Sequence, residues 1–177
     1  FFTFLSFNFC IQYTNGQDDY NFAKSVGGTG YDFGTCVASF NDGSSVITGG
    51  YESSSLSFGN HLPSLQNNGN GNYDIFIAKI SSNGTWIWAE GVGGSSDDVG
   101  YSVASFDDGS SVITGDYYSS SLSFGNHLPS LQNNGNGNTD IFIAKISSNG
   151  TWIWAEGVGG SSDDIGYSVA SFDDGSS

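Results

Sequence analysis

The chain has 177 residues, of which 37% are hydrophobic and 15% aromatic; that is enough apolar material for a core, so wholesale disorder is excluded. Eighteen acids stand against three lysines, Lys24, Lys79 and Lys145, for a net charge of −15. The basic footprint of a nucleic-acid binder is missing, and docking on anionic lipid is disfavoured.

In chain order, residues 1–17 come first and lie outside the repeat described below. The opening Phe-Phe-Thr-Phe-Leu-Ser-Phe-Asn-Phe-Cys-Ile-Gln is apolar and uncharged. It reads either as the tail of a secretory signal or as a strand, since Phe7, Phe9, Ile11 and Tyr13 alternate with Asn8, Cys10 and Gln12. The signal remnant is preferred because the segment is foreign to the repeat, and it is too short for a membrane-spanning helix. Without an initiating Met, the chain is expected to be a piece of a longer protein. Residues 18–32 are expected to hold the end of a preceding blade, at about residues 21–26, and an interblade link. Cys10 and Cys36 give no disulfide framework, and Cys36 falls where the next unit has Ser102.

From there the chain repeats every 66 residues. Asp74-Ile-Phe-Ile-Ala-Lys-Ile80 recurs from Asp140 to Ile146, and residues 53–72 equal residues 119–138 letter for letter. The units run 33–98 and 99–164, with a truncated third at 165–177. Such closeness reports duplication and is no measure of functional constraint. Four strand-like runs are predicted per unit; in the second they are residues 100–106, 110–117, 140–146 and 151–158. Asp107-Asp108-Gly109 marks the first turn. Ser147-Ser148-Asn149-Gly150 marks the last, where Asn-Gly predicts a two-residue type I′ hairpin with two positive-φ residues. The third run is apolar on both faces, with Ile141, Ile143 and Lys145 on one side and Phe142, Ala144 and Ile146 on the other. Trp152 and Trp154 are expected to share one face of the fourth run. A single sheet would leave one side of these residues wet, so units are expected to stack face to face.

The ordered combination Asp-Ile-Phe-Ile-Ala-Lys-Ile, Asn-Gly, Trp-Ile-Trp, Gly-Gly-Ser-Ser-Asp-Asp and Asp-Asp-Gly-Ser-Ser-Val-Ile-Thr-Gly resembles the bacterial β-propeller repeat of the seven-bladed type (SBBP repeats), from about Tyr20 to Ser177. The resemblance implies an all-β, β-propeller-type array of four-stranded antiparallel blades in secreted or envelope-associated proteins, usually without enzymatic activity. Family units are nearer 50 residues. Here an insertion around His-Leu-Pro-Ser-Leu-Gln-Asn-Asn-Gly-Asn-Gly-Asn lengthens them. Closing a propeller takes about four to eight blades, so further repeats of the same chain are an expected partner.

Function is sought at the rim carrying the insertion and the interblade links, because loops on a rigid scaffold are where binding resides. The candidate residues there are Asp32, Asp97, Asp98, Asp163, Asp164, Asn134 and Asn136. Oxygen-rich loops suit Ca²⁺, with Asp98 and Asp164 as the residues to hold it. Gly27-Gly-Thr-Gly-Tyr-Asp32 is similar to the glycine-rich motif of calcium-binding β-rolls, but it decays in later units. The favoured reading is a polar turn in which the Asp caps backbone N–H groups, with no cofactor. His61 and His127 lack a second ligand at zinc spacing. Asn83-Gly-Thr85 and Asn149-Gly-Thr151 match the N-glycosylation acceptor pattern, though the hairpin accounts for both. No local motif places a Ser or Cys nucleophile by a His, and carboxylates repeated in every unit argue against a singular active site. The expectation is a non-catalytic, secreted or cell-surface module that binds an extracellular glycan or protein without inserting in a membrane. The alternatives are a structural surface scaffold and a polysaccharide-acting enzyme.

Overall fold

The computed structural model describes residues 22–59, 62–69, 71–125, 128–134 and 137–172. They are all-β, with no helix among the described residues. Two four-stranded antiparallel sheets form blade-like units in a partial propeller-type array. The first blade contains β1 (Asp32–Ser39), β2 (Ser45–Tyr51), β5 (Asp74–Ile80) and β6 (Trp86–Val92), paired in that order. The second contains β7 (Asp98–Ser105), β8 (Ser111–Tyr117), β11 (Asp140–Ile146) and β12 (Trp152–Val158), again in chain order. Between the second and third strands of each blade the insertion folds into a two-stranded ribbon. These ribbons are β3 (Ser55–Leu56) with β4 (Leu65–Gln66), and β9 (Ser121–Leu122) with β10 (Leu131–Gln132). The segment that sequence alone marks as a loop is thus partly paired strand.

The ribbon belongs to the core. Leu122 and Phe124 are buried, and the Phe124 ring stands edge-on to Phe142 at 6.5 Å and to Trp152 at 5.0 Å. Leu56 and Phe58 repeat this against Phe76 and Trp86. The apolar letters Leu-Ser-Phe alternate as a strand does, which is the local signal for it.

The blades stack through their flat faces. Val46, Ile75, Ile77, Trp88 and Val92 of the first blade join Ile113, Tyr117, Leu122, Phe124, Phe142 and Ile146 of the second in one cluster. The far side of the first blade, with Tyr51, Leu56, Phe58, Phe76, Ala78, Ile80 and Trp86, forms a second cluster onto which Phe22 and Val26 pack. The effect of a neighbour shows in two strands of identical sequence. Every residue of β5 is buried, whereas in β11 burial alternates and Ile141, Ile143 and Lys145 are only half-buried. The inner strands also meet across the blades: Thr35 Oγ1 donates to the Gly100 carbonyl at 2.6 Å, and Ser105 Oγ to the Ser39 carbonyl at 2.9 Å.

The two tryptophans of each unit do not share a face. In the register of β5 with β6, Ile80 opposes Trp86 and Lys79 opposes Trp88, so Ile87 is the extra residue of a β-bulge. A one-residue bulge reverses the alternation of side chains. Trp86 therefore joins the cluster of Phe58 and Phe76, and Trp88 joins the cluster shared with the second blade. The same shift occurs at Lys145/Ile146 in the second blade. Each buried ring is worth about 4–6 kcal/mol as an upper bound, and the bulge gives one ring to each interface.

The hairpin expectation also needs correction. Gly84 N–H donates to the Ser81 carbonyl, and Ser81 N–H to the Thr85 carbonyl. This is a three-residue loop closed by one left-handed glycine, Gly84 at φ +82°, and it differs from a two-residue type I′ turn. Asn83 spends its side chain accepting from Ser81 Oγ and Thr85 N–H, which holds the chain in that longer loop.

Residues 22–26 and 165–172 pack on their neighbours without strand pairing, unlike the strands expected there. Residues 165–172 run along β7, with Val169 N–H donating to Ser102 Oγ at 3.2 Å and Ser171 Oγ to the Ser105 carbonyl at 2.8 Å. The signal-or-strand reading of residues 1–17 falls outside the described residues.

Candidate functional site: the long-loop rim

Antiparallel order sends alternate connections to opposite ends of each blade. One end carries the tight turns, which touch from blade to blade: Asn41 Nδ2 donates to Asp107 Oδ1 at 2.9 Å and Trp88 Nε1 to the Ser148 carbonyl at 3.0 Å. The other end carries the ribbons and the interblade links, tied by the isolated bridges Gly27–Ser57 and Gly93–Ser123.

At this rim the aspartates expected to bind a ligand serve as backbone caps. Asp32 Oδ2 accepts from Gly28 N–H at 2.8 Å and from Ser53 Oγ at 2.6 Å, while Oδ1 accepts from Ser53 N–H at 3.1 Å. Asp98 repeats the latch on Ser119, through N–H at 3.1 Å and Oγ at 2.8 Å. Asp164 Oδ2 accepts from Gly160 N–H at 2.8 Å. Asp97 caps Tyr73 N–H at 2.9 Å and Asp163 caps Thr139 N–H at 3.1 Å, each fixing the start of a third strand. Asn134 offers its backbone N–H to Asp140 Oδ2 at 2.7 Å. Asn136, His61 and His127 lie outside the described residues.

The donors around Asp98 and Asp164 are N–H and O–H groups, which stabilise a carboxylate. A Ca²⁺ ion wants about six to eight oxygens, and among the described residues no group of three or more His, Cys, Asp or Glu side chains converges to hold a metal. The described side chains around Asp98 and Asp164 do not fit the ion. Cys36 is a half-buried free thiol beside Ser102 and Val103 of the next inner strand.

No protein-family model matches the chain, and no curated protein matches it. The likeness to the bacterial propeller repeats thus rests on the quoted residues alone. Among the described residues no helix is long and apolar enough to cross a membrane.

Three carboxylates that sequence reasoning passed over are buried at this end. Asp74 and Asp140 are fully buried at the return of each insertion; Asp74 Oδ2 accepts from Asn68 N–H at 2.7 Å. Desolvation pushes Asp74 up to about 6 against hydrogen bonds from Asn68 and Gly94. It pushes fully buried Asp98 up to about 7 against the pull of Ser119. Gly93 lies so close that a Cβ there would sit 2.2 Å from Asp74 Oδ1, which accounts for glycine at that position. Asp116 differs in kind, because the first unit has Gly50 in its place. It is 7% exposed, bonds to the Tyr101 side chain, and is raised to about 6, chiefly by desolvation. One departure directly after the copied Ser-Val-Ile-Thr-Gly run is the signal that marks it.

A cluster of rings also sits on the first blade at this end. Phe33 lies 5.6 Å from Tyr31 and 5.3 Å from Tyr73, centroid to centroid, and Tyr31 lies 6.4 Å from Tyr73. Tyr31 is 61% exposed.

Proposed function

We propose that the chain is a non-catalytic recognition module of a secreted or cell-surface protein, binding an extracellular glycan or protein on the long-loop rim. The observation that carries this reading is the employment of the repeated carboxylates. Asp32, Asp97, Asp98, Asp163 and Asp164 are each committed to a turn or a strand start. What remains is a rigid stacked scaffold presenting exposed groups at one end, the arrangement that suits binding. The likeness to secreted propeller repeats supports the location, and the strong acidity is compatible with it.

A panel of extracellular glycans and proteins tested against the immobilised chain examines the proposal. Changes at the ribbon end should abolish capture of a bound ligand, and changes at Asn41 or Asp107 in the tight turns should leave it intact. Capture mapping to the tight-turn end, or no capture at all, overturns it.

One observation favours a second reading. Asp116 is a carboxylate present in a single unit, with a raised pKa and a tyrosine partner, as a polysaccharide-acting enzyme would require of its acid. Turnover of a polysaccharide that disappears in Asp116→Asn would establish that alternative. The charges of Asp163 and Asp97 add to its rise.

A further inference from the structure

Residues 27–92 and 93–158 are two copies that differ at ten of 66 positions: 29, 30, 31, 33, 35, 36, 41, 50, 52 and 73 in the first copy. Drift without a spatial cause would scatter such differences over exposed sites. Exposed positions elsewhere are unchanged, among them Ser57, Asn83 and Ile87. Nine of the ten lie instead in the interblade link, on β1 or at the ends of β2 and β5 nearest the long loops, position 41 being the exception. Tyr73 is the telling case. Twenty identical residues separate it from Glu52, yet its ring meets Phe33, a differing residue on β1, at 5.3 Å. Phe33 in turn lies over Gly50, where a Cβ would stand 2.9 Å from its Cζ. The second copy exchanges both members of that pair together, to Val99 and Asp116. Five of the differences, at 31, 33, 50, 52 and 73, converge on one patch in space.

The patch has a definite chemistry. Tyr31, Phe33 and Tyr73 form a continuous ring surface, edge against face, with Tyr31 open to solvent. Glu52 Oε2 stands at 3.2 Å from Tyr31 N–H, and Asp97 Oδ1 at 2.9 Å from Tyr73 N–H. Burial, then the charges of Glu52 and Asp97, hold the Tyr73 hydroxyl above its ordinary range. Lys79 and Lys145 are at the opposite end, over the rings of Phe40 and Phe106 at 3.8 and 4.0 Å. This end is therefore the acidic pole of a chain with 18 acids and three basic residues. Aromatic faces backed by carboxylates attract organic cations, and an acidic field steers basic partners to itself.

We propose that the ring patch of the first blade is the recognition surface, and that it takes a basic segment of a protein partner, with lysine or arginine side chains laid over Tyr31 and Tyr73 beside Glu52 and Asp97. This rests on the reading of the long-loop rim as a binding face and names the partner class. The second blade, with Asp97, Val99 and Thr139 at the same places, presents a different surface to a different part of the ligand.

The test uses the 177-residue chain and a synthetic peptide of alternating arginine and glycine, with a panel of neutral oligosaccharides as comparison. The variant is Tyr31→Asp with Tyr73→Thr. The second copy carries those residues in the same scaffold, so the fold tolerates them, and the exchange adds a negative charge. The expected result is a loss of peptide affinity of about tenfold or more, with wild-type binding that weakens steeply as salt is raised. Non-specific attraction to an acidic protein predicts unchanged or tighter binding in the variant, and that result overturns the proposal. Oligosaccharide binding at the rim without peptide binding overturns it too, while leaving rim recognition standing. Binding of neither removes both.

Discussion

Trp88 and Trp154 occupy the same position in two strands of identical sequence, so exchanging each for alanine isolates what a neighbouring blade contributes. Trp88 is 6% exposed, its indole N–H donates to the Ser148 carbonyl at 3.0 Å, and Gly150 lies against its ring. Trp154 is half-buried, with no such blade over it among the described residues. A large buried aromatic lost to alanine costs about 3–5 kcal/mol, and that range applies to Trp88→Ala. The hydrogen bond adds about 1 kcal/mol. About a quarter of a ring's 250 Å² at about 25 cal/mol/Å² adds roughly 1.5 kcal/mol more. Trp154→Ala, lacking both contributions, should therefore lose about 2.5 kcal/mol less than Trp88→Ala. Equilibrium urea unfolding of the two variants and the parent, followed by circular dichroism, measures the difference. Equal losses, within about 0.5 kcal/mol, would refute the argument that blades are stabilised by stacking.

The buried acids make stability pH-dependent. Asp98 at about 7 and Asp74 and Asp116 at about 6 hold protons more tightly in the folded chain than at their ordinary 3.8, so the folded state binds more protons between pH 4 and 7. Stability should fall as pH rises through that window, by on the order of 4 kcal/mol at most from Asp98, and Tm should be higher at pH 5 than at pH 8. A flat or rising profile would contradict the assigned burial. Gly93→Ala places a methyl group 2.2 Å from Asp74 Oδ1 and should destabilise by about 2 kcal/mol or more, read as a lowered urea midpoint. Calcium or a chelator should move Tm by no more than about 2 °C, since the acidic links are filled with N–H donors. A shift of tens of degrees would show that the rim carboxylates can reorganise around an ion.

Much of the fold is legible because each signal is local. The third strand announces itself by length and by apolar letters on both faces, and Asp-Asp-Gly-Ser and Ser-Ser-Asn-Gly mark their turns. What is not legible depends on register. Nothing in Trp-Ile-Trp shows that Ile87 is an unpaired bulge residue, because the bulge is settled by the pairing of Lys79 and Ile80 across the hairpin. The ribbon of the insertion was hidden by its Asn- and Gly-rich neighbours, although Leu56 and Phe58 alternate correctly. At the rim, the capping role of Asp32 could be read from its position after Gly-Gly, but Ser53 as its partner lies 21 residues on. The aromatic patch was hidden for a similar reason, since Tyr31, Phe33 and Tyr73 come together only across Gly50 of the second strand, which lies between the first strand and the start of the third.

The bulge in the outer hairpin bears on how such a gene can change. Because each unit shows one tryptophan to the unit before it and the other to the unit after it, every unit carries both halves of the same joint. A crossover that adds or deletes 66 residues at any point rejoins matching surfaces. No specialised junction has to be invented when the number of copies changes. Length can therefore vary in whole units while the ten positions that differ between copies are reshuffled along the array.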